Sequence, residues 1–286
     1  MVMKFFDLFS GIGGFRIGLE RTGHICVGSC EIDKYARQIY AKNFGSEPRW
    51  KDVRDIIPKE LPEFDILCAG FPCQSFSTVG TRMGFEDTRG TLFFEIVRIA
   101  REKQPSILFL ENVKGLLSHD KGETFKIIIQ TLDECGYDVS WQIINSKYFL
   151  PQNRERIYII ANLRGSGSRK ILPLGEVSQG NNKSCERIET KKVKMNYKAN
   201  TNANMKKRIQ DRDATWTLTC NSNDFTITQN HRERILTPIE YERLQGFKDD
   251  WTEGVIDTQR YKMLGNAVTT NVIEYISRFY WTKKNL

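Results

Sequence analysis

The chain has 286 residues, of which 40% are hydrophobic, 27% charged and 11% aromatic, an ordinary composition for a globular protein. These values exclude a collagen-like repeat, a disordered acidic tail and a small disulfide-stabilised protein. Lysine and arginine outnumber aspartate and glutamate by 43 to 35, and the resulting net charge of +8 suits a polyanionic partner. No apolar run reaches the roughly 20 residues of a membrane helix, and glycines come too early for a signal peptide, so we expect a cytoplasmic protein.

Strands and helices alternate over the first 160 residues. The predicted strands are 4–9, 25–30, 64–69, 107–111, 139–145 and 156–162, and the predicted helices are 15–21, 34–43, 92–103 and 125–135. This alternation predicts a mostly parallel sheet with helices on both faces. Two further helices are predicted near the C-terminus, at 238–245 with Thr237 as its cap and at 271–281.

The composition of the chain changes after Leu163. A Gly-Ser-Gly-Ser linker follows at 165–168, and ten lysines and arginines stand against three acidic residues between Lys183 and Arg212. This basic stretch is either a solvated loop region or a surface that neutralises nucleic-acid phosphates, and both interpretations stay open. We predict one domain from residues 1–164 together with 261–286, and a smaller one from 165–260.

A glycine-rich turn follows the first predicted strand. Gly11, Gly13 and Gly14 lie between this strand and the first helix, where glycines let the backbone approach a ligand and helix N–H groups face it. Glu31 ends the second strand, a position from which a carboxylate typically binds ribose hydroxyls, and Asp52 is a candidate for a third strand end. The spacing departs from G-x-G-x-x-G, so the turn indicates an adenosine-containing cofactor only moderately.

A second loop follows an apolar strand and carries Cys73 directly after Pro72. Loops at the carboxyl ends of parallel strands are where such folds place their chemistry. Cys68 lies inside the strand and is interpreted as part of the core. The seven cysteines include no C-x-x-C pair, so we expect free thiols and no metal site, and Cys73 is the candidate nucleophile.

Several segments together resemble the bacterial-type cytosine-C5 DNA methyltransferases, the methylases of type II restriction–modification systems. They are Asp7–Phe15, Gly70–Ser77, Gly84–Leu92, Glu111–Val113, Gln152–Tyr158, Leu236–Phe247 and Gly265–Val268, and they stand in the family's order. The resemblance covers residues 4–163 and 232–280 and is poor over 165–231. It implies a Rossmann-like S-adenosylmethionine-dependent methyltransferase fold, with a mostly parallel sheet and a small, irregular target-recognition domain over 165–260.

The resemblance implies methyl transfer to C5 of a cytosine flipped out of duplex DNA. Cys73 would add to C6 of the ring and so activate C5. Glu111 would donate to N3, Arg156 would contact O2, and Arg154 would support the active-site loop or bind a phosphate. No side chain is an evident base for removing the C5 proton, and water is the alternative.

S-adenosylmethionine is the cofactor that the resemblance implies. The residues expected to bind it are Phe9, Gly11, Ile12, Gly13, Gly14, Glu31, Ile32, Asp52, Pro72, Leu92, Asn266 and Val268. Ile32 departs from the family pattern, because many relatives carry an aromatic residue there, and this predicts weaker packing on the adenine.

Double-stranded DNA is the implied macromolecular partner, with no membrane and no metal. The residues expected to bind it are Gln74, Ser77, Arg82, Asn112, Val113, Thr217 and Leu218, and the loop 77–88 would close over the flipped base. We expect a monomer, bacterial or phage-encoded, and a restriction endonuclease that acts on the same site.

Three other functions stay open. An RNA methyltransferase of similar fold would explain the motifs but usually departs from the Phe-Pro-Cys-Gln-Ser pattern. A catalytically silent DNA-binding regulator would not need Cys73, Glu111 and Arg156 together. An NAD-dependent oxidoreductase would explain the glycine turn but not the Pro72-Cys73 loop. Transfer of a labelled methyl group to duplex DNA, to tRNA or to neither would discriminate among them.

Overall fold

The computed structural model describes residues 2–72, 92–166, 194–197, 209–210, 215–216, 225–229 and 232–281. The strands of its main sheet are Lys4–Leu8 (β1), Ile25–Cys30 (β2), Ile66–Gly70 (β3), Ile107–Val113 (β4), Tyr137–Asn145 (β5) and Glu155–Leu163 (β7). The strand β6 (Gln152–Asn153) lies outside this sheet. The helices are Gly14–Glu20 (α1), Lys34–Phe44 (α2), Leu92–Lys103 (α3), Glu123–Glu134 (α4), Pro238–Gln245 (α5), Asp257–Asn266 (α6) and Thr270–Trp281 (α7).

The main sheet has the strand order β2-β1-β3-β4-β7-β5. Strands β2, β1, β3 and β4 pair in parallel, whereas β7 runs antiparallel to both β4 and β5. The prediction of a mostly parallel sheet is therefore confirmed. The carboxyl ends of β1, β2, β3 and β4 meet at one edge, where open α/β sheets bind their ligands.

Successive residues of each central strand point to opposite faces of the sheet, and each face is covered by helices. On one face, Leu8 packs in a cluster with Phe93 of α3 and Leu132 of α4. On the other face, Phe5 packs in a cluster with Leu19 of α1 and Ile273 of α7. Both faces are therefore buried, which explains the nearly continuous apolar sequence of β3 and β4.

Helix α6 was not predicted from the sequence. Its residues are mostly polar, and only Tyr261, Met263, Leu264 and Gly265 are buried. A third hydrophobic cluster joins α5 and α6 to α2 and to Ile12 of the glycine turn. The division into domains at residues 164 and 260 stays a prediction, although this cluster unites residues from both predicted domains. No helix in the described ranges is long and apolar enough to cross a membrane.

A small antiparallel sheet lies in the range predicted for the second domain. Its strands are Lys194–Tyr197 (β8), Ile209–Gln210 (β9), Phe225–Gln229 (β11) and Arg232–Ile235 (β12), in the order β12-β11-β8-β9. A further strand, Thr215–Trp216 (β10), pairs in parallel with β6. These strands were not predicted from the sequence, because segments of two to five residues show little periodicity.

Helices α1 and α7 approach each other closely at Gly18. A Cβ atom at this position would lie 2.5 Å from Cβ of Ile273 and 2.9 Å from the carbonyl oxygen of Thr270. Such distances are shorter than real Cβ atoms allow, so a residue without a side chain is needed at this crossing. This contact places α7, which follows the Gly265–Val268 segment, against the helix that follows the glycine turn.

We predict that Gly18→Ala lowers the free energy of unfolding by about 1–2 kcal/mol, even though alanine is the better helix former. Overpacking costs roughly 1–3 kcal/mol, against a propensity gain of about 1 kcal/mol. Urea titration followed by circular dichroism measures the change. Gly115→Ala is the control, because a Cβ there would meet no atom closer than 4.0 Å. Equal stability of Gly18→Ala and the parent chain would contradict the prediction.

Candidate active site

The carboxyl group of Glu111 lies near the carboxyl end of β4, buried in the protein with only 7% of the residue exposed. Burial raises the pKa of this carboxyl above its ordinary value, and the guanidinium groups of Arg156 and Arg154 act in the opposite direction. Desolvation is the larger effect, so protonated Glu111 persists to a higher pH than an exposed glutamate would.

Arg156 is the ion-pair partner of Glu111. Its Nε lies 3.2 Å from Oε1 of Glu111, and both side chains are largely buried. The antiparallel register of β4 and β7 sets Val113 opposite Arg156 and Glu111 opposite Tyr158. The reversal of β7 within the sheet therefore delivers Arg156 to the edge where β4 ends.

Arg154 is held by backbone carbonyl groups from the C-terminal part of the chain. Its Nη2 donates to the carbonyl oxygens of Gly265, at 3.1 Å, and Ala267, at 2.9 Å, and the residue is 2% exposed. The structure thus places Arg156 against Glu111, and the charge of Arg154 also acts on this carboxyl. It connects Arg154 to the Gly265–Val268 segment, more than a hundred positions away in the sequence.

The loop that leads to Cys73 begins beside Glu111. Gly70 pairs with Glu111 in the parallel register of β3 and β4, and Phe71 and Pro72 follow it. Asn112 is buried, and its Nδ2 donates to the carbonyl oxygen of Phe71 at 3.0 Å, which ties the start of this loop to β4. Four predicted site residues, Cys73, Gln74, Ser77 and Arg82, lie outside the described residues.

The glycine turn has an unusual backbone. Phe9, Gly11 and Gly13 all have positive φ angles, of 55°, 53° and 90°. Such a conformation is costly for phenylalanine and tends to occur at ligand sites. A Cβ at Gly11 would meet no atom within 4 Å, so the turn is open on this side. Its other side is fixed, because Trp251 Nε1 donates to the carbonyl oxygen of the buried Ile12 at 3.0 Å.

Glu31 connects the glycine turn to the end of β2. Its Oε2 accepts from the backbone N–H of Gly11 at 2.7 Å, and its Oε1 accepts from that of Asp33 at 2.8 Å. Burial raises the pKa of the Glu31 carboxyl, whereas these hydrogen bonds lower it. Since each carboxylate oxygen has a second lone pair, Glu31 retains capacity to accept from a ligand.

Ile32 and Asp52 flank the same edge of the sheet. Ile32 is 65% exposed, a large apolar side chain without cover. The expectation that Asp52 follows a strand is wrong: a single bridge joins Cys30 to Trp50, and Asp52 caps a short 3-10 turn because its side chain accepts from Arg54 N. Arg54 Nε also donates to Asp52, at 2.9 Å, and these hydrogen bonds lower the pKa of the Asp52 carboxyl.

The Gly265–Val268 segment returns to this edge from the C-terminal part of the chain. Val268 is buried against the glycine turn: a Cβ at Gly14 would lie 2.7 Å from Val268 Cγ2, so only glycine permits the contact. Asn266 is exposed at the end of α6. Leu92, at the start of α3, packs with Phe9 against the core cluster that contains Phe71. The structure therefore brings Val268 to Gly14, Glu31 to Gly11, and Phe9 and Leu92 onto one cluster, and the joint role of these residues stays a prediction.

The structure describes only some of the other residues that were predicted to bind DNA. Val113 is 39% exposed next to the buried Asn112. Thr217 and Leu218 lie outside the described residues, directly after β10. In the described part of the chain, no group of three or more histidine, cysteine, aspartate or glutamate residues could hold a metal ion.

The buried polar residues that hold these segments together were not predicted from the sequence. Gln152, Gln245 and Thr269 are nearly inaccessible to solvent and are joined by hydrogen bonds. Each lies in or beside one of the motifs that carried the resemblance, yet a glutamine or threonine there gives no indication of its distant partner. Their inaccessibility to solvent is a property of the folded chain, so no signal in the sequence identifies them.

Comparisons with known proteins agree with this arrangement. The sequence profile of the C-5 cytosine-specific DNA methylases matches residues 3–216 and 169–279. Type II methyltransferase M1.ScrFI of Lactococcus lactis subsp. cremoris is 42% identical, over 96% of this chain and 77% of that protein. Type II methyltransferase M.HhaI of Haemophilus parahaemolyticus is 37% identical, over 96% of this chain and 93% of that protein.

Among solved structures, the Dnmt2 methyltransferase of S. pombe has the same fold. The TM-score is 0.72 at 20% sequence identity, and the match covers 97% of this chain and 98% of that one. At this identity the likeness shows the fold alone, whereas the profile and the bacterial relatives identify the family. The chain belongs to the C-5 cytosine-specific DNA methylase family and is a DNA (cytosine-5-)-methyltransferase.

Proposed function

We propose that the protein methylates C5 of a flipped-out cytosine within a specific sequence of double-stranded DNA, with S-adenosylmethionine as the methyl donor. One observation carries the proposal: the buried Glu111–Arg156 pair lies beside the start of the loop that leads to Cys73, at the same sheet edge as the glycine turn. This edge offers a proton donor and a cation for a nucleobase, and the chain continues from it into the candidate nucleophile, Cys73.

The chemistry starts from the low reactivity of C5, which is a poor nucleophile. The thiolate of Cys73 attacks C6, and the electrons of the C5–C6 double bond move toward the ring nitrogen N3 and make C5 nucleophilic. Protonated Glu111 donates to N3 and limits the developing negative charge, and Arg156 donates to O2. The methyl donor would be left as a neutral thioether once C5 has gained the methyl group. A base then removes the C5 proton, Cys73 leaves as the thiolate, and N3 returns its proton to Glu111.

Protonation of Glu111 is the demanding requirement of this mechanism. A neutral carboxyl near pH 7 needs a pKa well above that of a free glutamate, and burial acts in that direction. The positive charges of Arg156 and Arg154 oppose this increase in the pKa. Glu111 therefore stays acidic enough to give its proton to N3 of the cytosine. No described side chain is assigned to removal of the C5 proton, and water serves in the proposal.

The residues around the glycine turn fit S-adenosylmethionine, which supplies an electrophilic methyl group from its sulfonium. The open side of Gly11 and the positive φ angles leave room at the N-terminus of α1. Two buried polar groups lie at the base of the turn: the Asp7 carboxyl, beside the backbone N–H of Arg16, and Ser10 Oγ, which has no hydrogen-bond partner among the described residues. A ligand with amino and carboxylate groups could complete their hydrogen bonding, directly or through water.

The adenosine half of the cofactor suits the groups next to this turn. Glu31 would accept from the ribose hydroxyls, and Asp52 would accept from the adenine amino group while retaining Arg54. Ile32 would pack on the adenine with its exposed side chain. Leu92 and Val268 would close the apolar wall, and Phe9, Ile12, Gly13, Gly14, Pro72 and Asn266 would complete the site as predicted.

Recognition of DNA is proposed for the basic stretch within 165–260 and for the residues around the cleft. Lysines and arginines of 183–212 would neutralise phosphates, while Gln74, Ser77, Arg82, Asn112, Val113, Thr217 and Leu218 would contact the target strand. Because type II methyltransferases are among the relatives, we propose a restriction–modification setting, with a monomeric enzyme in the cytoplasm and a cognate endonuclease.

We predict that Cys73→Ser abolishes methyl transfer to DNA, by at least about a thousandfold, while S-adenosylmethionine still binds, since the thiolate is needed for addition but not for the cofactor. Incorporation of labelled methyl groups and isothermal titration measure the two properties. Cys135→Ser, a half-buried thiol elsewhere, is the control. Methylation by Cys73→Ser at the parent rate would contradict the proposed mechanism.

A second prediction concerns Glu111. Because it acts when protonated and its pKa is raised, kcat should fall as pH increases through that pKa. Glu111→Gln, which donates a hydrogen bond but no proton, should lower kcat by about 10²–10⁴-fold and remove this alkaline decline.

The control for Glu111→Gln is Glu155→Gln, a half-exposed neighbour paired with Lys114 at 2.9 Å, which should retain the decline. The pH dependence of kcat at saturating substrates gives the answer for both variants. An unchanged profile in Glu111→Gln would exclude Glu111 as the proton donor.

A further inference from the structure

Three buried side chains form a hydrogen-bonded network that we term the amide latch: Gln152, Gln245 and Thr269. Thr269 Oγ1 donates to Gln245 Oε1 at 2.9 Å, and Gln152 Nε2 lies 3.4 Å from the same oxygen. Gln152 Nε2 also donates to the carbonyl oxygen of Leu244 at 2.6 Å. The three residues are at most 1% exposed, so these hydrogen bonds have no competition from water.

The latch holds the end of α6. A helix leaves its last carbonyl groups without partners inside the helix, and these groups need donors from elsewhere. Gln245 Nε2 donates to the carbonyl oxygen of Leu264 at 2.8 Å and lies 3.4 Å from that of Ala267. One side chain from α5 thereby fixes the backbone as it leaves α6 for an extended conformation at Ala267.

The carbonyl oxygens in this segment also hold Arg154. Its Nη2 donates to the carbonyl oxygens of Gly265 and Ala267, so the Ala267 oxygen lies within reach of both Arg154 and Gln245. A Cβ at Gly70 would lie 3.5 Å from Cγ1 of Val268 and 3.6 Å from Oε2 of Glu111, so this segment and the Glu111 carboxyl meet at Gly70. The positive charge of Arg154 acts on the same carboxyl. Hydrogen bonds therefore lead from Gln245 to a segment that lies beside the residue proposed to protonate the base.

We propose that Gln245 is a positioning residue for methyl transfer. By binding the Leu264 and Ala267 carbonyl groups, Gln245 fixes the segment that holds Arg154 near Glu111. The inference rests on the proposed function. Displacements of about 1 Å in an active site can cost about a hundredfold in rate, so a small shift of this segment is sufficient to slow the reaction. Loss of the latch should therefore reduce the rate of the chemical step more than it reduces binding of either substrate.

The test compares four variants with the parent enzyme. Gln245→Met and Thr269→Val remove latch hydrogen bonds at similar volume, and Thr269→Ser retains the hydroxyl. Glu242→Gln is the matched control: Glu242 is also fully buried on α5, but its Oε1 accepts from Thr252 N at 2.8 Å and from Arg260 Nη2 at 3.0 Å, away from the latch. Single-turnover methylation of unmethylated plasmid DNA is measured at saturating S-adenosylmethionine with enzyme in excess, beside thermal melting.

We expect rates about tenfold lower for Gln245→Met and Thr269→Val, rates within twofold of the parent for Thr269→Ser and Glu242→Gln, and dissociation constants within about threefold for all. Parent-like rates in the two latch variants, with melting temperatures lowered as in Glu242→Gln, would show that the latch has only a structural role. That result would overturn this inference and leave the proposed function intact. If Gln245→Met fails to fold, the Thr269 pair decides. Absence of methylation by the parent enzyme would overturn the proposed function and the inference with it.

Discussion

The buried ion pair of Glu111 and Arg156 is the interaction on which the rest of the site depends. A carboxyl group that is 7% exposed would be costly to ionise alone, and the guanidinium 3.2 Å away reduces that cost without removing it. The fold meets this constraint through one antiparallel strand in a sheet that is otherwise parallel. Because β7 reverses direction, Arg156 reaches the edge where β4 ends, and the first residues of the Pro72-Cys73 loop start at the same point.

The Gly265–Val268 segment joins the two halves of the chemistry. Val268 packs on Gly14 of the glycine turn, and the neighbouring carbonyl groups bind Arg154 beside Glu111. Strand β6 supplies Gln152 to the same buried network, while its backbone pairs with β10, within the range predicted to recognise the target. Segments proposed to bind the cofactor and the base, and a strand within the range proposed to recognise the target, are therefore joined by these contacts, although they come from distant parts of the chain.

Local signals explain which parts of the fold were predictable. The bounds of α3 and α5 are those expected, because Pro105 follows the first, and Thr237 forms a capping box with Glu240 at the second. Helix α6 has a weak apolar pattern, so it was not predicted from the sequence. The motifs located most segments of the site, but the links between them did not follow from the sequence. Gln152 and Gln245 are 93 positions apart, and no local rule relates two such residues.

The most direct test of the account is bisulfite sequencing of genomic DNA from a methylation-deficient bacterial host that expresses this chain. Bisulfite converts unmodified cytosine and leaves 5-methylcytosine intact, so the experiment reads product, substrate and target together. The account predicts protected cytosines at one position of a single short sequence throughout the genome. Complete conversion of a genome from cells that contain the folded protein would contradict it, and protected cytosines in tRNA from the same cells would then identify RNA as the substrate.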